Sequence, residues 1–313
     1  MINEPDIAVL IPCFNEEVTI GKVISDFQST LPKAAIYVYD NNSTDKTADI
    51  ALSLGAVVRK EPRQGKGNVI RAMFNEIDAD VYIMVDGDDT YPAESAPEMV
   101  EKILSGYDMV IGDRLSSTYF QENTRPFHNF GNSIVRDSIN FLFGANIRDI
   151  MTGYRAFSFS FAKTYPILSH GFEIETELTI HSLDKGIKIY ELPVRYRDRP
   201  EGSTSKLDTV GDGVRVLSTI FTLIREHKPL PFFGTIGVIL ILVGLILAIP
   251  IFIAFWKTGV VLQFPTLFGS FFIVLAGFLS IIAGIILDLL AKNGRKKFVI
   301  DANTFDYLRR HTN

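Results

Sequence analysis

Two carboxylates separated by one glycine, Asp86-Gly87-Asp88, follow the apolar run Val81 to Val85. Alternate residues leaving a strand point the same way, and the glycine lets the backbone bend between them. Two hard oxygen donors so placed suit Mg2+ or Mn2+, which share their coordination with substrate phosphates. Polar groups also follow the other short apolar runs of the first half. Pro12-Cys13-Phe14-Asn15-Glu16-Glu17 comes after the first and Asp40-Asn41-Asn42-Ser43-Thr44-Asp45 after the second. Arg63-Gln64-Gly65-Lys66-Gly67 comes after the third and Gly112-Asp113-Arg114 after the fifth. Neither G-x-G-x-x-G nor G-x-x-x-x-G-K-[ST] occurs, which disfavours a nicotinamide enzyme and a P-loop NTPase.

These groups need elements to hold them. The apolar runs predict strands at 7–11, 36–39, 56–58, 81–85 and 109–111. Helical patterns fall between them, at 16–30, 44–54, 66–77 and 93–104, with Ser43 and Asp45 as capping residues. Such alternation predicts an α/β domain with a mostly parallel sheet covered on both faces. In such sheets ligands bind beyond the carboxyl ends of the strands. All five polar segments lie at those ends, and their convergence says more than any one motif.

The rest of the chain is a different material. Of 313 residues, 31 are Lys or Arg and 36 are Asp or Glu, a net charge of −5. Yet only Lys257 and Asp288 interrupt the stretch from Pro229 to Ala291. Residues 232–256 and 264–287 are uncharged, and each is longer than the roughly 20 residues needed to cross a bilayer. They predict a transmembrane hairpin. Arg225 and Lys228 precede it and Arg295, Lys296 and Lys297 follow, so the positive-inside rule puts both termini in the cytoplasm. Val210, Val214, Leu217, Phe221 and Ile224 recur on one helical face, which either lies on the bilayer or packs on the soluble domain. The expected organisation is a catalytic domain at 1–206, a juxtamembrane helix at 207–231, spans at 232–256 and 264–291, and a cytoplasmic tail at 292–313. The polar start at 1–6 does not read as a cleaved signal peptide. One cysteine, Cys13, excludes an internal disulfide and reads as a packed small residue. The acidic balance, without a basic run, argues against a nucleic-acid partner.

Taken together, the motifs resemble those of family 2 glycosyltransferases with a GT-A, Rossmann-like fold. More narrowly, the chain is similar to polyprenyl-phosphate glycosyltransferases, both dolichol-phosphate mannose synthases and bactoprenol glucosyl transferases. Pro12, Asn15 and Glu16 match the opening P-x-x-N-E, and Asp40 matches the first acid of D-D-x-S-x-D-x-T, with Asn41 where many members carry a second Asp. Arg63, Gly65, Lys66 and Gly67 match R-x-x-G-K-G, and Asp86 and Asp88 match the metal-binding D-x-D. Thr90 stands where members often have Gln. Arg114 matches the Arg after the fifth strand and Arg125 one in the acceptor loop, where Phe130 replaces a second common Arg. Asp149, Thr152, Gly153 and Arg155 match D-x-x-[ST]-G-[FY]-R, and residues 196–206 match a mobile catalytic loop ending in Ser205-Lys206.

The resemblance implies roles. Asp149, Arg199 and Lys206 would be catalytic. Pro12, Asn15, Glu16, Asp40, Asn42, Lys66, Gly67, Asp86 and Gly87 would contact the nucleotide sugar. Arg114, Arg125, Arg136 and Ser203 would hold the acceptor phosphate, and Asp86 and Asp88 an Mg2+ or Mn2+ ion. Asp149 has three possible parts: base, metal partner or orienter of Arg155. Glu173 and Glu175 read either as site residues or as acids favoured in a helix first turn. The implied reaction moves a sugar, glucose or N-acetylglucosamine first, from a UDP-sugar to undecaprenyl phosphate with inversion. The acceptor is a phosphate monoester with a second pKa of about 6, so it is already ionised and positioning outweighs general-base help. A homo-oligomer, tetrameric in similar proteins, is expected. The rivals are a mannose synthase using GDP-mannose, a processive synthase, a nucleotidyltransferase and an inactive membrane scaffold. The processive synthase lacks its Q-x-x-R-W here, and the nucleotidyltransferase lacks its Gly-rich loop after the first strand.

Overall fold

Each predicted strand forms; the runs at 8–11, 81–84 and 109–111 are buried on both faces, whereas the run at 57–60 is a largely exposed sheet edge. The computed structural model describes residues 4–116, 126–171, 173–200, 221–222 and 224–312. The strands are β1 Ile7–Cys13, β2 Ala35–Asp40, β3 Val57–Lys60, β4 Val81–Met84, β5 Met109–Asp113, β6 Arg155–Ser158 and β7 Ile189–Pro193. They make one sheet in the order β3-β2-β1-β4-β6-β5-β7. All pairings are parallel except those of β6, which runs antiparallel between β4 and β5. The reversal has a chemical use. It brings the start of β6 to the edge where the other strands end, with Arg155 in register with Met84 and Ile111.

The helices of this domain are α1 Ile20–Thr30, α2 Thr47–Ser53, α3 Lys66–Glu76, α4 Ala96–Leu104, α5 Pro126–Phe143, α6 Phe159–Thr164 and α7 Ile174–Lys185. Val9, Ile11, Ile24, Phe27, Val38, Ile83 and Val110 form the core under α1 and α4. Two helices start later than the pattern suggests. α1 begins at Ile20 because residues 15–19 form a turn in which Asn15 is left-handed (φ 55°). α2 begins at Thr47 because Asp45 Oδ1 caps the Thr47 amide at 3.0 Å. Both delays lengthen the loops at the carboxyl edge.

The chain divides into two compact units, one of Met1–Val210 with Phe298–Asn313 and the other Gly211–Lys297. In the second, α8 Pro229–Thr258 and α9 Phe264–Thr312 are long and apolar enough to cross a membrane. Small residues seven apart line their seam: Gly237 and Gly244 on α8, and Ser270, Gly277 and Gly284 on α9. A Cβ on Gly237 would fall 2.6 Å from the Gly277 carbonyl oxygen, and one on Gly277 would fall 2.7 Å from that of Gly237. Ser280 Oγ donates to the Phe233 carbonyl at 2.8 Å. Lipid offers no hydrophobic drive for helix pairing, so close backbone approach supplies the contact. Large side chains such as Leu242, Ile246, Phe271 and Phe278 face outward.

The expected second span, 264–291, and the tail after it belong to one helix: α9 continues unbroken to Thr312, and its last part belongs to the first unit. There Phe298 meets His181 at 5.0 Å between ring centroids, and Phe305 stacks on Phe159 at 5.5 Å. The juxtamembrane helix expected at 207–231 falls largely outside the described residues; 221–222 and 224–227 are helical.

Replacing Gly277 by Leu is expected to destabilise the hairpin by about 1–3 kcal/mol through overpacking. Gly269→Leu, where a Cβ meets nothing within 4 Å, is expected to be neutral. Thermal unfolding of both variants in detergent checks the contrast.

Candidate active site

The loops after β1 and β2 build one wall. Asn15 accepts from the Thr44 amide through Oδ1 (2.8 Å) and its own amide donates to Ser43 Oγ (2.9 Å). The Glu16 amide donates to Thr47 Oγ1 at 2.8 Å, and the buried Glu16 carboxylate accepts from Thr19 Oγ1 at 3.3 Å. Buried Asp40 accepts from the Ser43 amide at 3.1 Å. Pro12 pairs with Tyr39 in the β1–β2 register, one step from Cys13 opposite Asp40. Cys13 is a buried packing residue, and Gly87 is needed beside it: a Cβ there would lie 2.8 Å from Cys13 Sγ.

Asn41 explains itself once the loop before α3 is in view. Its Nδ2 donates to the carbonyls of Glu61 (2.7 Å) and Arg63 (2.8 Å), and its Oδ1 accepts from the Gly65 amide at 2.7 Å. A carboxylate accepts but cannot donate. The amide therefore clamps the R-x-x-G-K-G loop in a way an Asp cannot. Asn42, left-handed at φ 67°, adds a bond to the Pro62 carbonyl at 3.0 Å. Gly67 packs against the Ser169 carbonyl so tightly that no side chain fits, and its amide donates to the His170 carbonyl at 3.1 Å.

That loop sets Lys66 at the first turn of α3. Its Nζ is buried and donates to Asp86 Oδ1 and, at 2.6 Å, to Glu175 Oε1 at the start of α7. Burial works against the ammonium, but the charges of Asp86 and Glu175 prevail and hold it well above the ordinary lysine range. Asp88 is paired differently. Thr90 Oγ1 donates to its Oδ1 at 2.7 Å, and Arg199 Nη2 meets its Oδ2 at 2.6 Å. Burial and then the Asp86 charge push the Asp88 carboxyl upward, while Arg199 opposes them. Two mutually repelling carboxylates fit a divalent cation. No group of three or more His, Cys, Asp or Glu suited to a metal occurs among the described residues, so Asp86 and Asp88 supply two oxygen donors to this place.

The segment before β6 closes the site. Gly153 lies against the Asp86 carboxylate, leaving no room for a Cβ. Asp149, buried, accepts from Arg114 Nε at 2.8 Å and from the Arg114 amide at 3.3 Å. In the structure the partner of Asp149 is thus Arg114. Arg114 Nη2 donates to the Met151 carbonyl (3.1 Å) and Nη1 to Tyr91 Oη (3.4 Å), so this arginine braces the loop before β6. Arg155 is fully buried. It donates to the carbonyls of Ile150 (2.6 Å) and Thr152 (3.0 Å) and to Thr179 Oγ1 (2.9 Å). Burial lowers its pKa to about 10.

The structure thus gathers Lys66, Gly67, Asp86, Gly87, Asp88 and Arg199, with Asn15, Glu16, Asp40 and Asn42 on the adjoining wall. Arg136 lies on α5, where its described partner is its neighbour Asp137 at 2.8 Å. Arg125, Ser203 and Lys206 lie outside the described residues. Glu175, for which the sequence offers both a site role and a place in a helix first turn, holds Lys66, and Tyr91 carries no motif that points to it. The signal for Glu175 is its place in the buried stripe of α7, where Leu178, Thr179 and Ser182 follow at helical spacing.

Comparison with known proteins shows the family. Residues 8–165 match the sequence model of glycosyl transferase family 2. Glycosyltransferase AglJ of Haloferax volcanii is 37% identical over 247 residues, 78% of this chain and 81% of that one. A dolichyl-phosphate hexose transferase of the same organism is 32% identical over 229 residues, covering 71% and 96%. Among solved structures, glucosyl-3-phosphoglycerate synthase of Mycobacterium tuberculosis with Mn2+ and UDP-glucose superposes with a TM-score of 0.55. It is 22% identical and covers 70% of this chain and 79% of that one, a likeness of fold.

Asn41→Asp should destabilise the protein by about 2 kcal/mol, because two buried carbonyls lose their donor and face a like charge. Urea unfolding of the two full-length proteins measures it.

Proposed function

The chain belongs to glycosyl transferase family 2, and from that premise we propose that it is a membrane-bound, inverting glycosyltransferase acting on a lipid phosphate. The donor is a nucleoside diphosphate sugar, UDP-glucose or UDP-N-acetylglucosamine first, and the acceptor is undecaprenyl phosphate. One observation carries the reading: a site of Lys66, Asp86 and Asp88 built for diphosphate and metal shares its chain with two helices long enough to span a bilayer. A lipid acceptor gives that pairing its reason. The similarity to a dolichyl-phosphate hexose transferase supports the acceptor class.

Asp86 and Asp88 would hold Mg2+ or Mn2+, which when bound offsets charge on the departing diphosphate. Lys66, held charged in a buried setting, adds a fixed positive group where that charge develops. Asn15, Glu16, Asp40 and Asn42 line the wall that would take base and ribose. Gly67 lets the loop pack against the Ser169 and His170 carbonyls, which sets the depth at which Lys66 meets the diphosphate. Arg199, now on Asp88, lies at the start of the segment implied to carry Ser203 and Lys206. Those residues, with Arg125 and Arg136, would receive the acceptor phosphate, and Arg114 would act through the loop it braces. The phosphate attacks the anomeric carbon as the bond to the diphosphate breaks. Its oxygen needs no proton removed, which suits a site where Asp149 is engaged by Arg114.

Asp88→Asn is expected to lower sugar transfer by on the order of 100-fold or more while membrane insertion stays normal. Transfer from radiolabelled nucleotide sugars in isolated membranes, with thin-layer separation of the glycolipid, measures it. The same assay tests the acceptor. Polyprenyl phosphate should be used far better than a water-soluble sugar, and equal use of the two would discard the lipid reading.

A further inference from the structure

The three carboxylates and two cations at the strand ends form a connected set. Lys66 bridges Asp86 and Glu175, and Arg199 sits on Asp88. Asp86 is the more exposed of the two acids on Lys66, with 27% of its side-chain surface accessible against 8% for Glu175. Asp86 and Asp88 are thus both engaged by protein cations in this state. A divalent ion can take them only if each cation has somewhere else to go. For Lys66 that place exists: Glu175 holds its ammonium at 2.6 Å, fixed by α7 and buried beneath the site. Arg199, with 29% of its side-chain surface accessible, is placed to meet an incoming phosphate once it leaves Asp88.

We propose that Glu175 is a positioning residue of the metal centre: it retains Lys66 while Asp86 is surrendered to the divalent cation, and Arg199 is the counter-charge that the cation displaces from Asp88. The proposal rests on the reading of Asp86 and Asp88 as metal ligands. Glu175 itself ligates nothing. It supplies the negative charge that lets a buried lysine remain beside a metal ion. Without it, Lys66 has only Asp86, and ammonium and metal compete for one carboxylate. The two side chains therefore bias metal affinity in opposite directions. Residues that orient or balance a metal ligand change affinity by about 10- to 100-fold when replaced.

The test is titration of the full-length protein in detergent with Mn2+ alone, read by electron paramagnetic resonance of the free ion. Glu175→Gln should bind Mn2+ about 10- to 100-fold more weakly, Glu175→Asp should recover part of the loss, and Arg199→Gln should bind more tightly. In turnover, the Glu175→Gln defect should lie in the metal concentration required, with kcat largely restored at saturating Mn2+. A merely structural role would lower kcat at every metal concentration and leave Mn2+ affinity unchanged, and that result overturns the proposal. If Glu175→Gln does not fold, Arg199→Gln decides: tighter binding supports the proposal, and unchanged or weaker binding overturns it. Asp88→Asn separates the two levels. If it binds Mn2+ like the wild type, the ion sits elsewhere and the metal reading itself fails, taking this proposal with it.

Discussion

A lysine ammonium cannot be buried alone, and much of this site follows from how that of Lys66 is accommodated. Taking a charge out of water costs several kcal/mol, and the cost is offset only by partners of good geometry. Asp86 arrives from the end of β4 and Glu175 from the first turn of α7, far apart in sequence. The lysine sits in the first turn of its own helix, where the macrodipole is unfavourable to a cation. Only the two carboxylates make that position tolerable. The close fit of the R-x-x-G-K-G loop against the carbonyls of Ser169 and His170 then becomes intelligible. The loop has to lie deep enough for Lys66 to reach both acids.

Helix α7 ties this arrangement to the other half of the site. Glu175 holds Lys66, and one turn later Thr179 accepts from Arg155. Arg155 in turn secures the carbonyls of Ile150 and Thr152, so the loop that carries Asp149 and Gly153 is fixed from below. Gly153 brings that loop against Asp86, and Asp149 draws in Arg114, whose guanidinium reaches Tyr91. The antiparallel insertion of β6 makes this possible. A parallel strand there would have brought its C-terminal end to the site instead of the loop leading into it.

The first five strands and the two long apolar helices were legible because each leaves a local pattern, whereas β6 and β7 carry no apolar run long enough to announce them. Apolar runs mark β1, β2, β4 and β5, uncharged length marks α8 and α9, and Asp86-Gly87-Asp88 announces itself by spacing. What escaped was long-range. Lys66 and Glu175 are 109 positions apart, and nothing near either names the other. Asn41 looked like a departure from a family pattern until its two carbonyl partners were seen. The uncharged length of α9 marked its apolar part only. Residues after Asp288 are mostly polar, and the counterpart of Phe298 and Phe305, formed by Phe159 and His181, lies far back in the chain.

That aromatic contact also dictates an order of events. Phe298 and Phe305 lie in the last part of α9, so they leave the ribosome after α8 and the apolar part of α9 have been made. The catalytic sheet is complete by Pro193 and can assemble earlier, but its pairing with Phe298 and Phe305 must wait. A nascent chain stalled before residue 298 would therefore carry a folded sheet with Phe159 and His181 uncovered. Closure of that cluster marks a chain whose long apolar helices have already been synthesised.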